Sequence, residues 1–478
     1  MRKNVIRDRN NPLNIEVQSI QKALEQVEFL REDQLGLLEG INNELSSLEL
    51  KYQESEQEVH RLNEEIAICN IELAKHDLLF ATEYKARQKR FKEIVESPLT
   101  PEAREIARVI QRHEFKGIVV YPHAVHWEPL QRPQHLLMEF ARKGYLCFFC
   151  DYSESFYINE IEERMFVVSN QDHLLQVLQT YHVLVINSYL LQNAWIEELP
   201  HKTIWYDVLD RVDFFSLYDR NMLAKHYQVL HDADIVTYSA VKLNEYVKDR
   251  DDAIYLPNAV RPGDFIVTED VKLAIPDDLK PILKRKKRII GYFGAIEEWF
   301  DTELVRKMAR DPQVIIVLIG HCGISKENFP KNVYFLGMKP YSQLKNYAVH
   351  FDALMIPFIV NSLTNAVSPV KFFEYCSLGK PIITTPIAEV LSYQGPGITY
   401  VDTEHFDGFH RKLWDLSNEA KAHLQKLSDD NQWGKRALQI ESELESRQSC
   451  LKLFANRSFS NHVSVFAATF LDYEGENY

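Results

Sequence analysis

The sequence predicts an α/β protein in which two doubly wound, Rossmann-like domains follow a long α-helical coiled coil. Three observations support this prediction. A 3-4 hydrophobic repeat runs from Leu13 to Phe80, no proline interrupts Leu13–Ser97, and the prolines of Ser97–Pro101 then end the helix. After that break, two series of short apolar runs alternate with helical patterns. With 478 residues, the chain is long enough for two or three domains.

Composition and charge narrow the class of protein. The net charge of −14 argues against nucleic acid as the main partner, and the hydrophobic content of 45% suits packed cores. No apolar run approaches the length of a membrane span, and no apolar segment follows the basic N-terminus as a secretory signal would require. Cys147 and Cys150 lie in an apolar run typical of a buried strand. We therefore expect a cytoplasmic protein with reduced cysteines.

Residues 1–97 are predicted to form a coiled coil that assembles homo-oligomers, because a sustained 3.5-residue repeat indicates supercoiling. A hairpin turning near Gly36 or Gly40 is an alternative, but the repeat keeps its phase through both glycines. One helix of roughly 100 Å is therefore favoured. Sixteen of the twenty positions in the repeat are apolar, and the twenty are Leu13, Val17, Ile20, Leu24, Val27, Arg31, Gln34, Leu38, Ile41, Leu45, Leu48, Tyr52, Ser55, Val59, Leu62, Ile66, Cys69, Leu73, His76 and Phe80.

The remainder is predicted to form one domain over residues 103–270 and a second over residues 285–440, with a tail (441–478) packed on them. Continuous apolar runs of four to six residues are typical of parallel strands covered on both faces. The basic run Lys284–Arg288 is interpreted as a solvated interdomain linker, with contact to acidic lipid at the inner membrane face as the alternative. The predicted strands are Gly117–Tyr121, Leu146–Cys150, Met165–Val168, Val183–Ile186, Thr203–Tyr206, Ile235–Tyr238, Ile254–Leu256, Arg288–Gly291, Val314–Gly320, Val333–Phe335, Ala353–Ile356, Pro381–Thr384 and Ile398–Val401.

The segment Asn361–Thr385, NSLTNAVSPVKFFEYCSLGKPIITT, carries the clearest chemistry. Ser368 and Pro369 open a helix whose free N–H groups and dipole favour an anion, and Lys371 adds a positive charge. Glu374 lies about one turn further on. A carboxylate beside a phosphate needs a partner of its own, and two adjacent sugar hydroxyls would serve. The segment therefore indicates a nucleotide-sugar site.

This segment also resembles the donor-site signature of GT-B glycosyltransferases, in particular the glycosyltransferase 4-like group with its SP-x-K-x-x-E-Y…G-K-P pattern. Further segments resemble the same group in the expected order, namely YPHAVHWEPLQRPQHLLMEFARKG, TIWYDVLDRVDFF, IIGYFGAIEEWFD, VLIGH and NVYFLGMKPYSQLKNY. The resemblance covers roughly residues 115–440. It implies a site in the cleft between the two domains, with ligands beyond the carboxyl ends of the strands.

The resemblance implies a hexosyltransferase whose donor is a UDP-, GDP- or dTDP-sugar and which needs no metal ion. Its acceptor would be a glycan or a lipid-linked glycan. It further implies a retaining outcome and a role in bacterial surface polysaccharide synthesis. Glycines after strands let the backbone approach phosphate, and histidines and aspartates after strands suit the handling of sugar hydroxyls and protons. The expected catalytic residues are Lys371, Glu374, Asp207 and His126, and the expected donor-binding residues are Gly294, Gly320, His321, Tyr341, Asn365, Ser368, Pro369, Lys371 and Glu374.

Two departures from the group's pattern support an alternative. The group carries Glu-x7-Glu, but Ala366 stands where the partner of Glu374 belongs. The turn after Gly294 holds Glu297 and Glu298 where the group has a basic pair that clamps the diphosphate. A non-catalytic coiled-coil scaffold that binds a glycan or nucleotide-sugar is therefore the second hypothesis.

Overall fold

The computed structural model describes residues 12–211, 220–266, 273–404 and 414–446. Its first element is a single helix of 85 residues, α1 (Pro12–Glu96). This result excludes the hairpin near Gly36 or Gly40. The apolar positions described between Val17 and Ile66 are exposed, several of them by more than half. The chain forms two compact units that divide within α1, after Lys75.

The predicted boundary of the coiled coil at residue 97 therefore lies too far along the chain. From His76 onward the helix belongs to the second unit. Phe80, Tyr84 and Phe91 pack in the same core cluster as the strands that follow. The last turns of α1 are thus part of a globular core. The apolar repeat alone does not reveal that these side chains pack against the sheet domain and not against a second helix.

The first domain is built on an eight-stranded sheet with the order β3-β4-β2-β1-β5-β6-β7-β8. All neighbouring strands are parallel except β3 and β4, and β3 was not predicted because its residues are largely exposed. The two faces of the sheet are covered by separate apolar clusters. Its strands are β1 (Ile118–Tyr121), β2 (Leu146–Cys150), β3 (Ile158–Glu162), β4 (Met165–Val168), β5 (Val183–Asn187), β6 (Lys202–Val208), β7 (Ile235–Tyr238) and β8 (Ile254–Tyr255).

The second domain is a six-stranded parallel sheet with the order β11-β10-β9-β12-β13-β14. This is the 3-2-1-4-5-6 order of the Rossmann fold, which confirms the doubly wound prediction for this half. Its core is one cluster on both sides of the buried strands β9, β10 and β12. The strands are β9 (Arg288–Phe293), β10 (Val314–Ile319), β11 (Val333–Phe335), β12 (Ala353–Ile356), β13 (Ile382–Thr384) and β14 (Ile398–Tyr400).

Helices connect the strands, as parallel pairing requires. In the first domain they are α2 (Pro101–Gln111), α3 (Arg132–Arg142), α4 (Gln171–Leu178), α5 (Asn193–Ile196) and α6 (Arg220–Asp232), with 3-10 turns at Leu190–Gln192 and Val241–Tyr246. The helices that follow β8 are α7 (Pro262–Phe265), α8 (Lys280–Leu283), α9 (Thr302–Met308), α10 (Tyr341–Ala348), α11 (Val370–Leu378), α12 (Ala388–Leu391), α13 (Asn418–Asp430) and α14 (Trp433–Ser446), with a 3-10 turn at Thr364–Ala366.

Helix α14 returns to the first domain, where it packs on α3. The predicted end of the second domain at residue 440 therefore falls inside a continuous helix. Residues 447–478 of the predicted tail lie outside the described residues. Within the described ranges, no helix combines the length and the apolar character needed to cross a membrane.

The basic run Lys284–Arg288 is not an interdomain linker. It lies between α8 and β9, and both elements contribute side chains to the core of the second domain. Arg288 forms an ion pair with Asp352, and the Arg285 guanidinium lies over the Tyr334 ring. The chain instead passes between the sheets after β8, so the prediction of a linker is corrected.

Candidate functional site

Two glycines place backbone against backbone at the carboxyl edge of the second sheet. Gly294 follows β9 and Gly320 follows β10, and these strands are neighbours in the sheet. A Cβ atom on Gly320 would lie 1.9 Å from the Gly294 carbonyl oxygen, so only glycine fits there. Both residues have positive φ, +138° and +145°. This edge of a Rossmann-like sheet is where ligands bind, and the two glycines leave room for one.

The first turn of α11 brings the Lys371 side chain against Gly294. No side chain caps the helix, which follows Pro369. A Cβ atom on Gly294 would lie 2.7 Å from Lys371 Cε and 2.9 Å from Lys371 Nζ. The glycine turn after β9, the start of α11 and the Lys371 ammonium therefore meet. Uncapped N–H groups, a helix dipole and a cation together form an anion site.

The Lys371 ammonium lies among aromatic rings. Its Nζ is 5.2 Å from the centroid of Tyr292 and 5.0 Å from that of Phe358. Among the described residues, no carboxylate lies within ion-pair distance of it. Burial lowers the pKa of Lys371 to about 8, although the nearby charge of Glu374 opposes this effect. A partly buried cation without an ion-pair partner is available to an external anion.

Glu374 is 4% exposed and lies on α11 one turn after Lys371. The Tyr341 hydroxyl, at the start of α10, donates a hydrogen bond of 2.9 Å to Glu374 Oε1. Burial raises the pKa of Glu374 to about 7. Tyr341 in turn packs edge-on against Phe265 and His135. Tyr341 thus orients Glu374, a contact that its expected role in donor binding did not include.

We predict that Gly294→Ala lowers the free energy of unfolding by roughly 1–3 kcal/mol, because an alanine at this φ is strained and its methyl group displaces Lys371. Chemical denaturation measures the change. Gly263→Ala is the matched control, since an added Cβ there meets no atom within 4 Å. Equal stability of the two variants would show that the contact between Gly294 and Lys371 is not tight.

The structure brings some of the other predicted donor-site residues to the same edge. His321 follows Gly320, and its Nε2 lies 3.4 Å from Glu297 Oε1. Asn365 uses its Oδ1 to accept a hydrogen bond from the Ala388 backbone N–H at 2.8 Å. Asp301 caps α9 by accepting a hydrogen bond from the Leu304 N–H at 2.8 Å. Its side chain therefore stabilises a helix start.

Ser368 lies where the two domains meet. It is 3% exposed, and its hydroxyl accepts a hydrogen bond from the Asn258 N–H at 3.2 Å. The Asn258 amide donates to the Ser368 carbonyl at 2.5 Å. The Ser368 hydroxyl also bonds to Glu389. The side chain of Ser368 therefore joins the domains, and its backbone positions the start of α11.

Glu389, on α12, is a junction residue that sequence reasoning missed. It is 1% exposed and accepts hydrogen bonds from the Val241 N–H at 2.8 Å and the Tyr255 hydroxyl at 2.6 Å, both in the first domain. Burial raises its pKa. Asn258, its neighbour at this junction, belongs to the segment PNAV (257–260) between the domains. No local pattern marked Glu389.

Asp207 is buried and ion-paired, which argues against the catalytic role predicted for it. It is 2% exposed and forms a bidentate ion pair with Arg132, with N–O distances of 2.7 and 2.9 Å. The Thr237 hydroxyl donates to Asp207 Oδ1 at 2.5 Å. Its oxygens are therefore engaged by buried partners. Asp210, a second aspartate of this segment, is exposed in the loop after β6.

His126 lies at the carboxyl edge of the first sheet, with its side chain 66% exposed. Its Nδ1 is 2.8 Å from Asp151 Oδ1, and Asp151 directly follows β2. His123, after β1, has its ring centroid 5.9 Å from that of His126. Asp151 was not predicted, although an acidic residue directly after a buried strand is a signal that could have identified it.

The fold is that of GT-B glycosyltransferases. Similar solved structures include sucrose-phosphate synthase of Thermosynechococcus elongatus, with a TM-score of 0.54 and 15% identity over 70% of this chain and 99% of that one. Anabaena HepE in complex with UDP-glucose has a TM-score of 0.51 and 12% identity, over 69% of this chain and 100% of that one. The α,α-trehalose 6-phosphate synthase of Burkholderia multivorans has a TM-score of 0.51 and 11% identity, over 70% of this chain and 99% of that one.

A curated relative in Bacillus subtilis strain 168 carries the name teichuronic acid biosynthesis glycosyltransferase TuaH. It is 23% identical over 129 residues, which are 25% of this chain and 32% of the relative. The chain therefore spans about a third of the length of the curated relative that it matches. No protein-family profile matches the chain.

Proposed function

We propose that this chain, a protein of the GT-B fold, is a glycosyltransferase that moves a hexose from a nucleotide diphosphate sugar to a hydroxyl of a glycan or lipid-linked glycan. The observation that carries the proposal is the Lys371 ammonium, which has no carboxylate partner among the described residues. It lies against Gly294 beside the uncapped start of α11. A leaving diphosphate is the anion that such a site would stabilise during transfer.

The donor would lie along the carboxyl edge of the second sheet. Its diphosphate would contact Lys371 and the N–H groups after Pro369, close to the backbone of Gly294 and Gly320. Glu374, oriented by Tyr341, would accept the ribose hydroxyls. His321 would contribute to the donor pocket directly, and Asn365 would contribute by holding its loop in place. We propose that no metal ion is needed at the diphosphate.

The acceptor would bind at the first domain, near His126 and Asp151, which follow neighbouring parallel strands. The His126 imidazole, held by Asp151, would handle the proton of the acceptor hydroxyl. The resemblance of the donor-site motifs supports a retaining outcome. The name of the Bacillus relative supports a bacterial surface polysaccharide as the product. We propose the cytoplasmic face of the membrane as the place of synthesis.

Thermal-shift measurements with UDP, GDP, dTDP, ADP and CMP test the donor site. A nucleotide present at ~100 times its dissociation constant adds about 2.7 kcal/mol of stability. We expect a shift with one diphosphate and its loss in Glu374→Ala. UDP has priority because HepE was solved with UDP-glucose. No shift with any nucleotide would contradict the proposal.

A non-catalytic scaffold is the second candidate. Ala366 occupies the position of the group's first glutamate, so no carboxylate is present there. Ala366 is 3% exposed and belongs to a core cluster with first-domain residues. Glu297 in the glycine turn would repel a diphosphate unless His321 compensates it. Steady release of nucleoside diphosphate from a nucleotide-sugar in the presence of an acceptor would exclude the scaffold.

We predict that donor affinity has a maximum between about pH 7 and about pH 8. The pKa of Glu374 is about 7, so acidification below that value protonates the carboxylate and removes its ribose contact. The pKa of Lys371 is about 8, so more alkaline solution removes the positive charge. Calorimetric titration of the donor across this range measures the profile. In Lys371→Met the alkaline decrease should vanish, and a flat wild-type profile would contradict both assignments.

We further propose that residues 1–75 assemble the protein into homo-oligomers, because an apolar repeat exposed in one chain would be buried between several. Deleting these residues should give monomers that unfold at nearly the wild-type temperature. Deleting residues 1–96 should also destabilise the remainder, because it removes Phe80, Tyr84 and Phe91 from the core. Light scattering and thermal unfolding measure both effects. Unchanged oligomeric mass after the shorter deletion would assign assembly to another surface.

A further inference from the structure

His123, His126 and Asp151 form a cluster at the carboxyl edge of the first sheet that the proposed donor site does not use. His123 follows β1 by two residues and Asp151 directly follows β2. The two strands pair in parallel register, Tyr121 opposite Phe149, so their carboxyl ends meet. One donor atom from each of the three side chains lies within 4.8 Å of the others.

The carboxylate of the cluster is firmly oriented. Asp151 Oδ1 accepts a hydrogen bond from Tyr152 N–H at 2.7 Å. Asp151 Oδ2 accepts from the Trp127 N–H at 3.3 Å and from the Tyr157 hydroxyl at 3.0 Å. Carboxylates that ligate metal ions are commonly held in this way by hydrogen bonds from behind. The remaining lone pair, on Oδ1, points to His126 Nδ1 at 2.8 Å.

The two imidazoles complete a set of nitrogen and oxygen donors. The His123 backbone N–H donates to Gln171 Oε1 at 2.8 Å, which anchors the loop that carries both rings. His126 is 66% exposed at its side chain, so the cluster is open to solvent. Ligand atoms about 2.1 Å from a tetrahedral ion lie roughly 3.4 Å apart, so no pair of these atoms needs to close by more than about 1.4 Å. Rotation of the exposed His126 ring can supply part of this closure.

From this arrangement we propose that His123, His126 and Asp151 bind a divalent transition-metal ion, with Zn²⁺ the best-suited candidate. Two imidazoles and one carboxylate favour Zn²⁺, Co²⁺ or Fe²⁺ over Mg²⁺ and Ca²⁺, which prefer oxygen ligands. The ion replaces the proton shared by His126 and Asp151. In the metal-bound form His126 is therefore a ligand and not the group that handles the acceptor proton, so the two proposed roles of His126 are alternatives. Three protein ligands leave at least one position for water or another oxygen ligand. The proposal concerns the ion alone and does not depend on the proposed transferase activity.

Metal binding to the full-length protein tests the proposal. After treatment with a chelator and dialysis, calorimetric titration with Zn²⁺ should show one strong site per chain, and Mg²⁺ should show none. Titration with Co²⁺ should give the visible absorption of a four- or five-coordinate site. We expect His123→Ala and Asp151→Asn each to weaken Zn²⁺ binding at least 100-fold, since outer-shell changes alone cost 10- to 100-fold.

His321→Ala is the matched control, because this exposed histidine also lies beside a carboxylate, Glu297, in the other domain. It should leave the stoichiometry and affinity unchanged. His126→Ala provides a second test in which folding is not at risk, because the side chain is exposed. Binding that is unchanged in His123→Ala and His126→Ala, or the lack of a stoichiometric site in the wild-type protein, would overturn the proposal.

Discussion

Replacing Lys371 by alanine is expected to lower the turnover of the nucleotide-sugar donor by about 100- to 1,000-fold, the effect of removing one preorganised group that stabilises a leaving oxyanion. The ammonium lies at the start of α11 against Gly294, and no carboxylate of the described residues pairs with it. It is therefore the side-chain cation best placed to neutralise the diphosphate as it departs. Rates of nucleotide release with and without acceptor measure the loss.

Two further variants separate charge from folding. Lys371→Met keeps most of the side-chain volume between Tyr292 and Phe358 and should be as inactive as the alanine variant. Lys326→Ala removes an exposed cation over the Phe335 ring in the same domain and should turn over normally. Wild-type rates in Lys371→Met, with unchanged thermal unfolding, would contradict the leaving-group role.

Replacing Asp207 by alanine is expected to lower the free energy of unfolding by about 3–5 kcal/mol, because it leaves the Arg132 guanidinium buried without its counter-charge. The two side chains are 2% and 3% exposed and form two short hydrogen bonds. The loss of the bond from Thr237 adds a second unsatisfied group. Equilibrium denaturation measures the change.

The exposed pair of Arg87 and Glu83, 2.7 Å apart, supplies the comparison. Arg87→Ala should cost about 0–1 kcal/mol, as surface ion pairs usually do. If Asp207→Ala proved equally mild, the pair with Arg132 would not be desolvated as the structure indicates. Full loss of activity in a stable Asp207→Ala protein would instead return Asp207 to a catalytic role.

The ion pair also links the first domain to the proposed donor site. The second terminal nitrogen of Arg132 donates to Asn258 Oδ1 at 3.2 Å, and Asn258 donates to the Ser368 carbonyl at the start of α11. Arg132 and Asp207 therefore position the anion-binding helix from the neighbouring domain. Both side chains are engaged by buried protein partners, which supports a positioning role for them.

Much of the fold could be predicted from the sequence because parallel strands covered on both faces are continuous apolar runs. The runs from Leu146 to Cys150 and from Ile235 to Tyr238 match observed strands residue for residue. The strand Ile158–Glu162 escaped prediction because it pairs at an edge and buries no complete face. The basic run Lys284–Arg288 was misplaced because charge alone does not distinguish a turn inside a domain from a linker.

At the proposed donor site, the sequence by itself determined the glycine turns, the helix start at Pro369, and the placement of Lys371 and Glu374 one turn apart, since all of these depend on local backbone geometry. Only the tertiary structure decided which carboxylates remain available. Asp207 is neutralised by Arg132, from 75 positions earlier in the chain, and Glu389 is occupied by Tyr255 of the other domain. The availability of a charge depends on its burial and its partners, and contacts between distant segments set both.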